Sequence, residues 1–96
     1  MPETNFKIRW PDGKQEICYS PSLVVKKYFE PGKAYSISEF VEKSREALEI
    51  ASDRVQAAFG YPCSRALGQI RKIETTAQQY EASADGTVSF LEFQDI

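Results

Sequence analysis

The stretch between Ser36 and Gly60 constrains the fold more than any other part of the sequence. Ser36 and Glu39 form the S-x-x-E pattern of a capping box, which satisfies free amides at the start of a helix. The pattern predicts a long amphipathic helix over about 37–59, ended by the glycine. The buried face of this helix is expected to hold Ile37, Phe40, Val41, Ser44, Leu48, Ala51, Val55 and Phe59.

A second long helix is predicted after a short link. Pro62 is expected to open it, and the link Gly60-Tyr61-Pro62 is short enough to make the two helices antiparallel neighbours. A shorter helix over about 21–29, begun by Ser20 and Pro21, is predicted to precede this pair. The apolar face of the second long helix holds Cys63, Ala66, Leu67, Ile70, Ile73, Ala77 and Tyr80.

Residues 5–20 predict a β-hairpin, because apolar and polar side chains alternate on both sides of P-D-G-K. If Asp12-Gly13 is a two-residue turn, Ile8 faces Ile17 and Arg9 faces Glu16. This register separates the two faces of the hairpin. It places Phe6, Ile8, Trp10, Ile17 and Tyr19 toward the core, and Lys7, Arg9, Glu16 and Cys18 on the other side.

Residues 87–93, rich in β-branched and aromatic side chains, predict a third strand beside the first one, in the order 2-1-3. The predicted fold is a single α+β domain over residues 1–96, ordered β-β-α-α-α-β. In it, a three-stranded antiparallel sheet packs one face on the antiparallel helical hairpin. The expected core contains Phe6, Ile8, Ile17, Tyr19, Phe40, Val41, Leu48, Ala51, Val55, Leu67, Ile70, Ile73, Val88 and Phe90.

The alternation of the last strand breaks after Phe90. Val88 and Phe90 share one face, whereas Leu91 and Phe93 share the other. If the first two face the helices, the other two are exposed on the open sheet face, which predicts a weak homodimer through this strand. A β-bulge near Leu91 is the alternative, because it would turn Phe93 back toward the core.

Composition excludes several classes of function. The chain has no histidine, so the commonest general base and the commonest metal ligand are both missing. A formal net charge of −2 provides no overall field to recruit nucleic acid, and no apolar run is long enough to span a membrane. With no visible signal peptide and two cysteines, we expect a cytoplasmic protein without a disulfide.

Residues 81–93, EASADGTVSFLEF, contain half of an EF-hand calcium loop. Asp85, Gly86 and Glu92 fit the pattern, but Glu81 stands where an aspartate is needed and no second helix follows. We therefore predict no metal site. Asp85-Gly86 is expected to be a turn into the last strand.

Cys63 is the first candidate for chemistry. It is expected in the first turn of the second long helix, two residues before Arg65, and both features favour a thiolate. Cys63 also belongs to the apolar face, so a buried structural thiol is the favoured alternative. Cys18, on the polar hairpin face beside Lys7, is expected to be exposed.

Two further pairs of residues are candidates for binding. Ser64 and Arg65 at a helix start could bind an anion, although capping alone explains a serine there. Arg9 and Trp10 beside the hairpin turn could stack on a ligand or a base. The favoured alternative is that Trp10 anchors the edge of the core while Arg9 pairs with Glu16.

Several motifs in one order resemble a small bacterial family of nitrogen starvation response proteins: IRWPDG, CYSPSLVVKKYF, SREAL, ASDRV and GYPCSRAL. The resemblance covers about residues 4–80. Members of that family lie in gene clusters with a nitrilase, a radical-SAM protein and an acetyltransferase-like protein. The resemblance therefore implies a cytoplasmic accessory protein in nitrogen or nitrile-related metabolism, and it supplies no catalytic residue.

Two functions stay open from the sequence. The first is a non-catalytic accessory module that binds a partner protein or a small metabolite through the polar hairpin face and the Ser64-Arg65 helix start. The second is a thiol-based enzyme or redox protein that uses Cys63. The sequence assigns no cofactor to either function.

Overall fold

The computed structural model describes residues 2–80 and 86–95. Within them, one antiparallel sheet has the strand order β2-β1-β4-β3, and two long helices pack against it. The α+β class and the pairing of the last strand with the first are confirmed, but the sheet has one strand more than predicted. The elements are β1 (Thr4–Arg9), β2 (Gln15–Ser20), a 3₁₀ helix (Leu23–Lys27), β3 (Ala34–Ser36), α1 (Ile37–Phe59), α2 (Ser64–Gln78) and β4 (Thr87–Asp95).

The first predicted helix is a 3₁₀ helix of five residues rather than an α-helix over 21–29. Its cap is Ser22 instead of Ser20, because Ser22 Oγ accepts a hydrogen bond from the Val24 amide at 3.3 Å. Val24 and its neighbour Val25 are both buried, and β-branched residues lose side-chain freedom in an α-helix. The additional strand, β3, has only three residues, too few for an alternating pattern to be recognised in the sequence.

The register of the β1–β2 hairpin differs by one residue from the predicted one. Ile8 lies opposite Glu16 instead of Ile17, and Phe6 lies opposite Cys18. Because successive side chains alternate between the faces of a sheet, the shift turns every side chain of β2 over. Cys18 is therefore buried, whereas Ile17 is 54% exposed and does not belong to the core.

The turn of the hairpin explains this shift. Its loop has three residues, 11–13, and is closed by the Trp10 amide, which donates to the Lys14 carbonyl at 2.8 Å. Gly13 has a φ of +92°, the left-handed conformation that the third position of such a loop favours. Asp12 Oδ1 accepts from the Lys14 amide at 3.0 Å and stabilises the turn.

Helix α1 agrees with the prediction at both ends. Ser36 Oγ accepts from the Glu39 amide at 3.2 Å, and Gly60 ends the helix with a left-handed φ of +87°. Its buried face contains Phe40, Ser44, Ala47, Leu48, Ala51 and Ser52. Val41 and Val55, which were expected in the core, are half-buried.

Helix α2 begins at Ser64, two residues later than the predicted start at Pro62. Its cap residue, Cys63, makes no hydrogen bond to the helix through its side chain. The backbone amide of Cys63 instead donates to Ser52 Oγ at 3.1 Å, which ties the helix link to α1. Leu67 is 36% exposed, so the prediction that it belongs to the core is wrong.

Aromatic rings fill the space between the sheet and the helices. Phe29 and Phe90 stack with their ring centroids 5.0 Å apart, and Phe90 stacks on Phe6 at 5.8 Å. Trp10 stacks on Tyr80 at 5.5 Å at the other end of the core. The predicted core is confirmed for Phe6, Ile8, Phe40, Leu48, Ala51, Ile70, Ile73, Val88 and Phe90.

Strand β4 contains a bulge at Leu91. Phe6 pairs with Phe93 but Ile8 pairs with Phe90, so the register shifts between them. The bulge keeps Phe93 on the core side, where its ring centroid lies 4.8 Å from that of Phe90. This is the alternative considered for the strand, and it removes Phe93 from the argument for a homodimer. The weak homodimer itself stays a prediction.

Two buried serines of α1 form a matched pair for a stability measurement. Ser44 Oγ has no hydrogen-bond partner within the described residues, whereas Ser52 Oγ accepts from the Cys63 amide. We expect Ser44→Ala to raise the free energy of unfolding by about 1 kcal/mol, because an unpaired buried hydroxyl is removed. Ser52→Ala should lower it by about 1 kcal/mol, because the Cys63 amide loses its acceptor. Urea unfolding curves measure both changes, and shifts of the same sign would contradict the prediction.

Candidate functional site

A cleft of about 270 Å³ opens beside the end of α1. Its volume lies just below the range of pockets that hold drug-sized ligands, so it suits a smaller molecule. Segments that are distant in the sequence form its walls: the residue before β1, the end of β2, the last turns of α1 and the link to α2. The lining side chains are Glu3, Tyr19, Pro21, Val55, Phe59, Tyr61 and Cys63.

Tyr19 is held in the cleft wall by three neighbours. Its phenol donates to Glu3 Oε2 at 2.5 Å, a short hydrogen bond of the kind that an ionised acceptor strengthens. The guanidinium of Arg65 lies 3.7 Å from the centroid of the Tyr19 ring, within cation–π range. The Tyr19 amide donates to Gln69 Oε1 at 3.1 Å, so α2 also fixes the backbone of β2.

The phenol of Tyr19 keeps its proton at neutral pH. Burial raises the pKa of Tyr19 to about 12, and the hydrogen bond to Glu3 and the charge of that carboxylate act in the same direction. The Arg65 cation opposes this rise. Tyr19 can therefore donate a hydrogen bond to a ligand but does not serve as a base near pH 7.

The two cysteines occupy environments opposite to those expected. Cys63 is half-buried and lines the cleft, whereas Cys18 is 1% exposed in the core. Burial raises the pKa of the Cys18 thiol well above its usual value, and the Glu16 carboxylate adds to the effect. Both cysteines are free thiols. Cys63 is thus the thiol that a reagent or ligand can reach.

Of the predicted site residues, Cys63 lines the cleft, and Ser64 and Arg65 follow it directly in the sequence. Arg65 covers the ring of Tyr19, Cys63 lines the wall, and exposed Ser64 lies between them in sequence at the start of α2. The candidate helix start is therefore adjacent to a concave surface. The serine does not cap the helix, because the cap position is that of Cys63.

The other two predicted site residues, Arg9 and Trp10, lie elsewhere. Trp10 is 2% exposed, stacked on Tyr80 in the core, and offers no ring face at the surface. Arg9 is exposed on the sheet face away from the core and lies opposite Gln15, so the expected pairing with Glu16 is wrong. Glu16 instead accepts a hydrogen bond from Trp10 Nε1 at 3.4 Å.

Sequence reasoning missed the aromatic rim of the cleft and its carboxylate. Phe59 was assigned to the buried face of α1 but is 59% exposed, and Tyr61 is 64% exposed. These two residues flank Gly60, whose left-handed turn ends the helix. The sequence did contain a signal for their exposure, because residues next to a glycine that ends a helix lie where the chain leaves the packed helix. Glu3 carried no signal in the sequence.

The first five residues of the half-pattern of a calcium loop, 81–85, lie outside the described residues, and they include Glu81 and Asp85. Glu92 is exposed on β4 and pairs across the sheet with Lys7. Residues 2–80 and 86–95 contain no group of three acidic or cysteine side chains placed to hold a metal ion. In the same residues, no helix is both long enough and apolar enough to cross a membrane.

The chain matches the family model described as "Nitrogen starvation-induced protein NitG" over residues 5–93. This match spans both helices and all four strands apart from their outermost residues. No curated protein shows significant similarity to the chain, and neither does any solved structure.

The titration of Tyr19 tests the geometry of the cleft. We expect Glu3→Gln to lower the pKa of Tyr19 from about 12 toward its ordinary value of 10.0, because the carboxylate charge is lost. Because folding raises this pKa, the contribution of the neutral phenol to stability is present below pH 10.0 and is lost as pH rises toward about 12. NMR of ¹³C-labelled tyrosine rings measures the titration. Glu42→Gln is the charge-matched control on exposed α1, and a wild-type titration curve in Glu3→Gln would refute this geometry.

Proposed function

The chain belongs to the nitrogen starvation-induced NitG family, and we propose that it acts there as a non-catalytic accessory protein that binds a small metabolite or a partner protein at the cleft. The family supports a role in the response to nitrogen starvation. The resemblance to proteins encoded beside a nitrilase supports a role in nitrile-related metabolism. Binding at the cleft is supported by the side chains that form it.

The exposed aromatic pair at the mouth of the cleft is the observation that carries this proposal. Phe59 and Tyr61 are 59% and 64% exposed, although each ring has a large apolar surface. Burying such surface gains about 25 cal/mol for each Å² removed from water. Aromatic side chains are also enriched at binding interfaces, where they make large contacts with few rotatable bonds. The pair therefore favours a ligand or partner that covers it.

The polar groups of the cleft support binding rather than catalysis. The phenol of Tyr19 already donates to Glu3, and its raised pKa keeps it protonated. Within the described residues, no hydrogen bond joins Cys63 Sγ to a base that could activate it. These groups can orient a ligand through hydrogen bonds, whereas a proton-transfer step would need a free base.

Co-purification from the native host tests this function. We expect tagged protein from nitrogen-starved cells to retain a metabolite or a product of the nitrilase-containing gene cluster, identified by mass spectrometry. The double variant Phe59→Ser/Tyr61→Ser should lose it, because the apolar rim is removed. Ile17→Ser is the matched control, since Ile17 is 54% exposed but does not line the cleft. The proposal is contradicted if no compound or protein co-purifies above background, or if the double variant retains it as well as the wild type does.

A thiol-based activity of Cys63 is the second candidate function. The supporting observation is that this half-buried thiol lines the cleft at the start of α2, two residues before Arg65. Helix N-termini and neighbouring cations both favour thiolate, which is the nucleophilic form. The accessory function does not need this chemistry, so the two candidates can be separated.

Thiol alkylation of the native protein separates them. We expect iodoacetamide to modify Cys63 well before Cys18, because Cys18 is 1% exposed and its pKa is raised by burial. Mass spectrometry of timed samples measures both rates, and Cys63→Ser should show only the slow reaction. A rate for Cys63 above that of free cysteine would favour thiol chemistry. A rate at or below it removes this candidate, and faster labelling of Cys18 would contradict the described burial.

A further inference from the structure

Groups of negative potential converge on the cleft. The Glu3 carboxylate lies in its wall, and the hydrogen bond that it accepts comes from Tyr19, which is a neutral donor. That bond fixes the position of the carboxylate without cancelling its charge. A ligand that enters the cleft therefore meets an oriented anion at one end.

The end of helix α1 adds to this potential. The helix has 23 residues and no basic residue in its last turn. The final carbonyl groups of a helix carry a partial negative charge of about −0.5, which nearby cations normally offset. Val55 and Phe59, which lie one turn apart near this end, both line the cleft. The negative end of the helix is thus close to the cleft.

The aromatic rings of the cleft also favour a cation. The faces of Phe and Tyr rings are electron-rich and attract organic cations, particularly where water is partly excluded. Tyr19, Phe59 and Tyr61 all line the cleft, and Pro21 and Val55 add aliphatic surface between them. The combination of ring faces with one carboxylate is the one that proteins use for ammonium groups.

Two arginines lie near the cleft, and both keep their charge because their partners are neutral groups. Arg65 lies on the ring of Tyr19, and Arg54 Nη1 donates to Ser22 Oγ at 3.1 Å. Neither guanidinium belongs to the lining of the cleft. The positive N-terminus of α2 also borders the cleft at Cys63, so the part of the cleft that favours a cation is the part formed by Glu3 and the end of α1.

We propose that the cleft binds a small organic cation, an ammonium group on a short carbon chain. The ammonium group lies beside Glu3 and the end of α1, and the carbon chain packs on the rings of Phe59 and Tyr61. This inference rests on the proposed function and specifies the chemical class of its ligand. The volume of about 270 Å³ limits the ligand to a small molecule.

Three probes of similar shape and different charge test the inference: n-butylammonium, n-butanol and butyrate. Amide NMR shifts of Tyr61 and Cys63 report binding at the cleft. We expect saturable shifts with n-butylammonium, with an affinity at least about fivefold higher than for n-butanol, because the cation interacts with the carboxylate and the rings. Butyrate should bind more weakly than n-butanol.

Two variants that each remove one negative charge distinguish a local effect of Glu3 on binding from an effect of the protein's overall charge. Glu3→Gln should weaken n-butylammonium binding about fivefold or more and leave n-butanol binding unchanged. Glu42→Gln removes the same charge from an exposed position on α1 and should change neither. Phe59→Ala should weaken both probes, because both use the same apolar surface. Unchanged amide spectra away from the cleft show that each variant is folded.

The inference is overturned if n-butanol or butyrate binds as tightly as n-butylammonium. It is also overturned if n-butylammonium produces no saturable shift, or if Glu42→Gln weakens its binding as much as Glu3→Gln. The accessory function fails separately, on the co-purification experiment. A host compound or partner that requires Phe59 and Tyr61 but carries no cation would leave that function standing and refute the cation site.

Discussion

The left-handed backbone of Gly13 determines which side of the sheet each side chain of β2 occupies. Its φ of +92° closes a three-residue loop, and this loop length sets the pairing of the two strands. A loop shorter by one residue would place Ile17 and Tyr19 in the core and Cys18 on the opposite face. The observed turn instead leaves Tyr19 free to meet Glu3. The cleft therefore depends on a turn at the far end of the hairpin.

An irregular segment supplies the middle of the core. Phe29 lies two residues after the end of the 3₁₀ helix, and its ring centroid lies 5.0 to 6.3 Å from those of four other aromatic residues. These contacts join three strands of the sheet and α1 through one side chain. The four neighbours are Phe6, Tyr35, Phe40 and Phe90.

Local signals made some elements predictable. Both ends of α1 follow from single residues, Ser36 and Gly60, because capping acts over one helical turn. The hairpin register did not follow, because Asp12-Gly13 suits both a two-residue and a three-residue loop. The burial of Phe29 was not predicted, because the residue lies in an irregular segment where neither the helical nor the strand period of apolar residues applies. The broken alternation around Leu91 allowed a bulge in β4 as one of two alternatives. The sequence could not decide between them, because a bulge depends on which strands β4 pairs with after folding.

Only the part of the candidate site at the start of α2 could be predicted from the sequence. Cys63 and Arg65 are two residues apart, and the chemistry of a helix N-terminus identified both. Glu3, Tyr19 and Phe59 come from three separate segments that meet only in the folded chain. A sequence pattern at any one of these positions cannot indicate the other two.

The cleft itself follows from a mismatch in length between α1 and the sheet. A helix of 23 residues is about 34 Å long, whereas β1 and β2, with six residues each, extend about 20 Å and β4, with nine, about 30 Å. The last buried residue of α1 is Ser52, so the turns after it extend beyond the packed region. The apolar pattern of the helix nevertheless continues to Phe59. Residues that a longer sheet would bury thus become the wall of an open site, and the hydrogen bond from Cys63 to Ser52 holds the start of α2 beside them.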